Sequence, residues 1–304
     1  MVFNQHTTNI HFNLLEGVYE LSGKIILSAD STCDLGDVLT DRFHVNTFPL
    51  HVILEDNTYA DGIDLLPDDI YKVYYEKKLL PKTAAINASE YMDYFKQWTS
   101  QGYEIIHVTL GSGLSATYQN CCLAAAELPG VHVIDSRNLS TGMGLIVLEA
   151  ADRIAAGMSA ADIAAEVQEI TANCHASFVI DTLEFLYKGG RCSALQMLGA
   201  NMLSLKPCIE VDNTSGKMSV GKKYRGSLDK ALAQYVQDKL ETLENYDNRR
   251  IFITHSGISQ ERIDLVENLV RQYADFDEIF TTRAGCTISS HCGPNTLGVL
   301  YMTK

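Results

Sequence analysis

The stretch "IIHVTLGSGLSATYQNCCLAAAELPGVHVI", Ile105 to Ile134, joins an apolar run to a glycine-bearing loop, a helical pattern and a second apolar run. Ile105–Leu110 and Val131–Ile134 are short and largely apolar, which suits strands covered on both faces. Between them, Ser115–Leu128 has the length and composition of a helix. The stretch is therefore a βαβ unit, and its two strands run parallel.

The same alternation extends outward. Ile25-Ile26-Leu27-Ser28-Ala29 is the first strand, with Asp30-Ser31-Thr32 at its carboxyl end. Pro67-Asp68-Asp69 suits a first helical turn, so a helix is expected from there toward Lys78. Asn87-Ala88-Ser89-Glu90 resembles a capping box and starts a helix through Trp98, and a further helix begins after Ser140-Thr141. Past about Cys174 the pattern changes. A strand is expected at Ala176–Ile180, followed by a hairpin of Pro207–Val211 and Lys217–Lys223 across Asn213-Thr214-Ser215-Gly216. A helix from Ser227 to about Leu243, a strand Ile251–Thr254, a helix Glu261–Tyr273 and a strand Glu278–Thr282 follow, with His291 in a loop and a last strand after it. The expected fold class is α/β in two domains. Residues 24–174 form a Rossmann-like parallel sheet, and 175–304 form a second α/β domain with an antiparallel hairpin. The default ligand cleft lies between them. Polar, irregular residues 1–23 are expected to be an extension outside the core.

Composition narrows the ligand. The 304 residues carry a net charge of −14, which argues against a nucleic-acid surface, so any anion must be captured locally. Eight cysteines at 33, 121, 122, 174, 192, 208, 286 and 292 show no CxxC pair and no metal-ligand spacing. With no signal-type amino terminus, they predict a reducing cytoplasm, and no metal is expected. No apolar run approaches the roughly 18 residues of a membrane span.

The glycine loop admits more than one reading. Gly111-x-Gly113-x-x-Ala116 follows a strand, opens a helix and precedes Asp135 at the next strand end, as in a dinucleotide-binding enzyme. Ser112, Ser115 and Thr117 crowd the same loop with hydroxyls, which serve a small oxyanion equally well. An ordinary turn capped by Ser115 is a third possibility. No nucleophile elbow or Walker pattern is present. Ester hydrolysis by Ser112 or Ser115 would need a base that no spacing identifies.

Four segments in order decide among these: Asp30-Ser31-Thr32-Cys33-Asp34-Leu35, Ser112-Gly113-Leu114-Ser115-Ala116-Thr117-Tyr118, Leu186-Tyr187-Lys188-Gly189-Gly190-Arg191 and His291-Cys292-Gly293-Pro294. Together they resemble the DegV family of bacterial fatty-acid-binding proteins, from Lys24 to Lys304. The resemblance implies a two-domain α/β protein that buries one long-chain fatty acid, needs no cofactor and is not itself an enzyme. Some members are the binding subunit of fatty acid kinase, presenting the carboxylate to a separate ATP-using subunit, and peripheral membrane contact is compatible with such a role. Thr83, in Lys82-Thr83-Ala84-Ala85-Ile86, falls on the threonine of the family's Thr-Ser-Gln-Pro pattern. Ser112 falls on the second serine of its Ser-Ser-x-Leu-Ser-Gly-Thr-Tyr pattern. The carboxylate is thus expected at Thr83, Ser112 and the loop from Gly111 to Ser115. Arg191 and His291 match the arginine and histidine of the head-group end, for phosphotransfer or partner contact. Gly111 stands where the family has its first serine, and Ala84-Ala85-Ile86 replaces Ser-Gln-Pro. A long acyl chain suits the physics: at about 0.8 kcal/mol per buried methylene, transfer of the tail supplies on the order of 10 kcal/mol. The head group then needs orientation more than affinity.

Overall fold

Ile105, Ile106 and Val108 are fully buried because their strand lies inside a sheet covered on both faces. A computed structural model describes residues 25–192 and 205–304, so the expected extension lies outside the described residues. The strands are β1 (Ile25–Asp30), β2 (Val45–Phe48), β3 (His51–Leu54), β4 (Asn57–Ala60), β5 (Lys82–Ala84), β6 (Glu104–Thr109) and β7 (Val131–Asp135). They continue with β8 (Cys174–Val179), β9 (Leu205–Val211), β10 (Met218–Arg225), β11 (Tyr246–His255), β12 (Glu278–Arg283) and β13 (Leu297–Thr303). The helices are α1 (Gly36–Arg42), α2 (Pro67–Lys77), α3 (Ala88–Thr99), α4 (Thr117–Ala125) and α5 (Ser140–Ala155). After them come α6 (Ala160–Ile170), α7 (Glu184–Gly189), α8 (Leu228–Leu240), α9 (Gln260–Tyr273) and α10 (Cys286–Cys292).

The first sheet has the order β2-β1-β6-β7 with every pair parallel, including the β6–β7 pair of the βαβ unit. The second, ordered β10-β9-β8-β13-β11-β12, is antiparallel except between β11 and β12. Its expected hairpin closes through Gly216, at φ 68°, where a glycine takes the left-handed conformation without strain. A third sheet, β4-β3-β5, was not foreseen. Its strands of three or four residues are too short to show a two-residue periodicity.

Helix α5 joins the layers. Every residue from Ser140 to Ala151 is buried, which a helix can satisfy only when covered on all sides. It packs against β1 and β6 of the first sheet and β8, β11 and β13 of the second. A single apolar cluster therefore runs through Leu27, Ile106, Ile146, Phe178, Ile209 and Leu300.

Two local expectations change. The helix expected from Ser115 to Leu128 spans only Thr117–Ala125, because Ser115 turns its hydroxyl to accept from Thr117 N at 3.2 Å and stays outside. His291, expected in a loop, lies in the last turn of α10. That helix is fixed from outside: Asp34 accepts from Gly285 N at 2.8 Å and Asp61 from Cys286 N at 2.7 Å.

Candidate functional site

Helix α10 forms one wall of a partly open cavity, about 550 Å³ when the solvent at its opening is counted. Leu50, Leu110, Leu139, Leu186, Met218 and Ile288 make it largely apolar, while Thr83, Ser115, Arg191, Thr287 and His291 are its polar members. A second, partly open cavity shares Leu139, Ile288 and Cys292 with the first and is further lined by Ala176, Phe178 and Leu300. Ala85, Leu114, Ser115 and Arg191 of the first cavity also line an open vestibule with Ser112, Tyr118 and Cys122. A route thus runs from solvent past polar groups into an apolar interior, with strand residues of the third sheet (Thr83, Ala84) and the second (Met218, Phe178, Leu300) along it.

Thr83 on β5 and His291 on α10 meet directly, Oγ1 to Nε2, at 2.8 Å. Burial pushes the His291 imidazole down to about 4, and the positive charge of Arg191 adds to the effect, so the ring is neutral at neutral pH. With its proton on Nε2, His291 donates to Thr83 and frees the threonine hydroxyl hydrogen for a ligand. His291 Nδ1 is buried without a partner among the described residues. Gly189 lies so close that a Cβ there would fall 2.3 Å from that nitrogen, which explains a glycine at this position. Arg191 donates to Gly189 O at 2.7 Å, which sets its guanidinium beside the mouth.

Gly111 and Ser112 are placed differently. A Cβ on Gly111 would lie 2.7 Å from Asn138 N, so the loop has no room for a side chain there. Ser112 donates both its amide (3.0 Å) and its hydroxyl (2.5 Å) to Asp135 and lines the vestibule, not the cavity. A Cβ on Gly113 would meet Ser215 O at 2.3 Å. The glycines therefore let the loop approach backbone on two sides.

This geometry argues against the dinucleotide reading. Gly111 N donates to Asn138 O and Leu114 N to Gly111 O, while Asp135 is occupied by Ser112 and Arg137 N. A pyrophosphate cradle and a ribose-binding acid both require these groups to be free. Ser115 Oγ pairs with Thr117 Oγ1 at 2.7 Å, and among the described residues no histidine or carboxylate is hydrogen-bonded to it as a base for nucleophilic attack.

Thr287 was not foreseen. It stands four residues before His291, a spacing that shares one helix face, but the signal exists only once Cys286–Cys292 is known to be helical. Among the described residues no group of three or more His, Cys, Asp or Glu could hold a metal, and no helix is long and apolar enough to cross a membrane.

Fold and site define a class: a two-layer α/β protein built round an amphipathic cavity. The chain belongs to the DegV family, since a family model described as "Uncharacterised protein, DegV family" matches residues 24–304. A DegV domain-containing protein of Clostridium perfringens is 28% identical over 285 residues, covering 92% of this chain and 99% of the relative. A protein of Thermotoga maritima named a fatty acid-binding protein is 26% identical over 282 residues, covering 90% of this chain and 96% of its own. A solved structure described as fatty acid binding of a DegV family protein from Thermus thermophilus superposes with a TM-score of 0.84 at 28% identity, covering 92% of this chain and all of that one.

Proposed function

We propose that this protein binds one long-chain fatty acid in the cytoplasm, with the tail in the two adjoining cavities and the carboxylate at the Thr83–His291 end. The observation that carries the reading is the route itself: a polar mouth leading into apolar space, continued past Leu139, Ile288 and Cys292. Hydrocarbon burial supplies affinity at about 0.8 kcal/mol per methylene, and neutral donors orient the head without a buried cation. The names of its relatives support the same ligand. Denaturing extraction of purified protein followed by lipid mass spectrometry tests the reading. A stoichiometric fatty acid is expected; protein that carries none and binds no added palmitate would refute it.

Arg191 at the mouth suggests presentation of the carboxylate to an ATP-using partner subunit. In that reaction a carboxylate oxygen takes the γ-phosphoryl group of ATP, ADP leaves, and the guanidinium meets the added negative charge. Arg191→Ala should retain lipid while lowering acyl phosphate formation with such a subunit. Unchanged formation would remove Arg191 from that role. Collection of fatty acid from a membrane surface through the vestibule is compatible with this arrangement.

A further inference from the structure

Ser289 and Ser290 on α10 both donate their hydroxyls to carbonyls earlier in the chain, to Ala284 O at 3.2 Å and Cys286 O at 2.7 Å. This is the ordinary way for a buried helical hydroxyl to be satisfied. Thr287, on the same helix, differs: the residue is 3% exposed, and its Oγ1 has no partner among the described residues. An orphaned buried hydroxyl costs stability unless something outside the chain accepts from it. Thr287 lines the same cavity as Thr83 and His291, and four residues of helix put it about 6 Å along the axis from His291.

We infer that Thr287 supplies the second hydroxyl of the carboxylate anchor, so that the head group is held between Thr83 on β5 and Thr287 on α10. The inference rests on the fatty-acid reading above and assigns the residues that read the head group in this chain. A carboxylate has two oxygens, each able to accept a short charge-assisted bond, and so suits donors on two walls of one cavity. The glycine loop offers less. Gly111 has no room for the hydroxyl that the family places there, Ser112 is committed to Asp135, and Ser115 Oγ already accepts from Thr117 N and pairs with Thr117 Oγ1. Thr287 takes over from the loop the donation that a charged head requires.

The test compares Thr287→Val and Thr287→Ser with the unsubstituted protein, using palmitate and hexadecanol as probes. Valine keeps the branched shape and removes only the hydroxyl; serine keeps the hydroxyl. Thr287→Val should weaken palmitate binding roughly ten- to a hundredfold, the usual loss for a bond to a charged acceptor, and change hexadecanol binding by less than about threefold. Thr287→Ser should bind palmitate nearly as well as the parent. Palmitate labelled at the carboxyl carbon with ¹³C adds an independent readout, since loss of a donor should raise the titration midpoint of the bound carboxyl group. Equal palmitate affinity in Thr287→Val would overturn the inference, as would parallel loss of palmitate and hexadecanol, which would put Thr287 in tail packing. If the unsubstituted protein bound no palmitate, the fatty-acid reading itself would fail.

Discussion

His291 and His255 are both pressed down to about 4 from their usual 6.5, by burial first and then by Arg191 and Arg283 respectively. Each is neutral in the fold, so its contribution is complete above pH 6.5 and is lost as the unfolded chain takes up protons on the way to pH 4. Asp34 opposes them. Burial lifts its carboxyl from 3.8 to about 8, against the hydrogen bonds from Ser140 and Gly285. The folded state therefore retains a proton that the unfolded state has released, and stability falls as pH rises between those values. Two imidazoles outweigh one carboxyl below pH 6.5, and the carboxyl acts alone above it, so these three groups place their joint optimum near 6.5. Asp34→Asn suits the left-handed backbone at φ 51° and should flatten the decline between pH 6.5 and 8, as read from urea midpoints. A decline of the same slope in the variant would show that another group controls it. Residues of this kind were only partly legible. Thr83, Arg191 and His291 were named from motifs, whereas Thr287 and Asp34 acquire their roles only when α10 brings them together.

The α10 helix shows why that element stayed hidden. Cys286-Thr287-Ile288-Ser289-Ser290-His291-Cys292 is one short run of residues with modest helix propensity, too short to nucleate alone. Its first amides are held by Asp34 and Asp61, 251 and 225 residues away in the chain. Periodicity and capping rules read neighbours in sequence, so this cap left no local signature. By contrast, α3 carries its own cap, with Asn87 and Glu90 bonding reciprocally at 3.0 and 2.9 Å, and was found from the sequence. Removing the remote cap should therefore loosen the cavity wall. Asp61→Ala leaves Cys286 N and the Ser31 hydroxyl without their acceptor, a loss of roughly 1–3 kcal/mol. Amide exchange should accelerate from Ile288 to Cys292 more than in α3. Uniform acceleration across both helices would mean that Asp61 supports the whole fold and not this wall.

At the scale of the whole molecule, the loop that revealed the βαβ unit also joins the two layers. Its strands and their parallel pairing were legible because buried apolar runs separated by a helix leave few alternatives. The purpose of its glycines was not, because the groups they approach belong to distant segments. Gly111 lies against Asn138, Gly113 against Ser215 and Gly216, and Gly216 in turn against Arg137. Three backbone turns thus meet, one of them the β9–β10 hairpin of the second sheet. Pyrophosphate binding would place the cost of a Gly113 substitution on ligand affinity; backbone packing places it on the contact between layers. Gly113→Ala puts a methyl group 2.3 Å from Ser215 O, a separation that the backbone must move to relieve, and the exposed hairpin turn is the segment expected to yield. The variant should lose about 1–3 kcal/mol, the common range for overpacking. Residues 212–217 should exchange amide hydrogen faster, while α9, on the far part of the second sheet, keeps its protection. Because Met218, next to that turn, lines the first cavity, palmitate should also dissociate faster from the variant. Unchanged exchange at 212–217 would mean that the loop yields instead of the hairpin, and that the glycine is not what holds the two layers in contact.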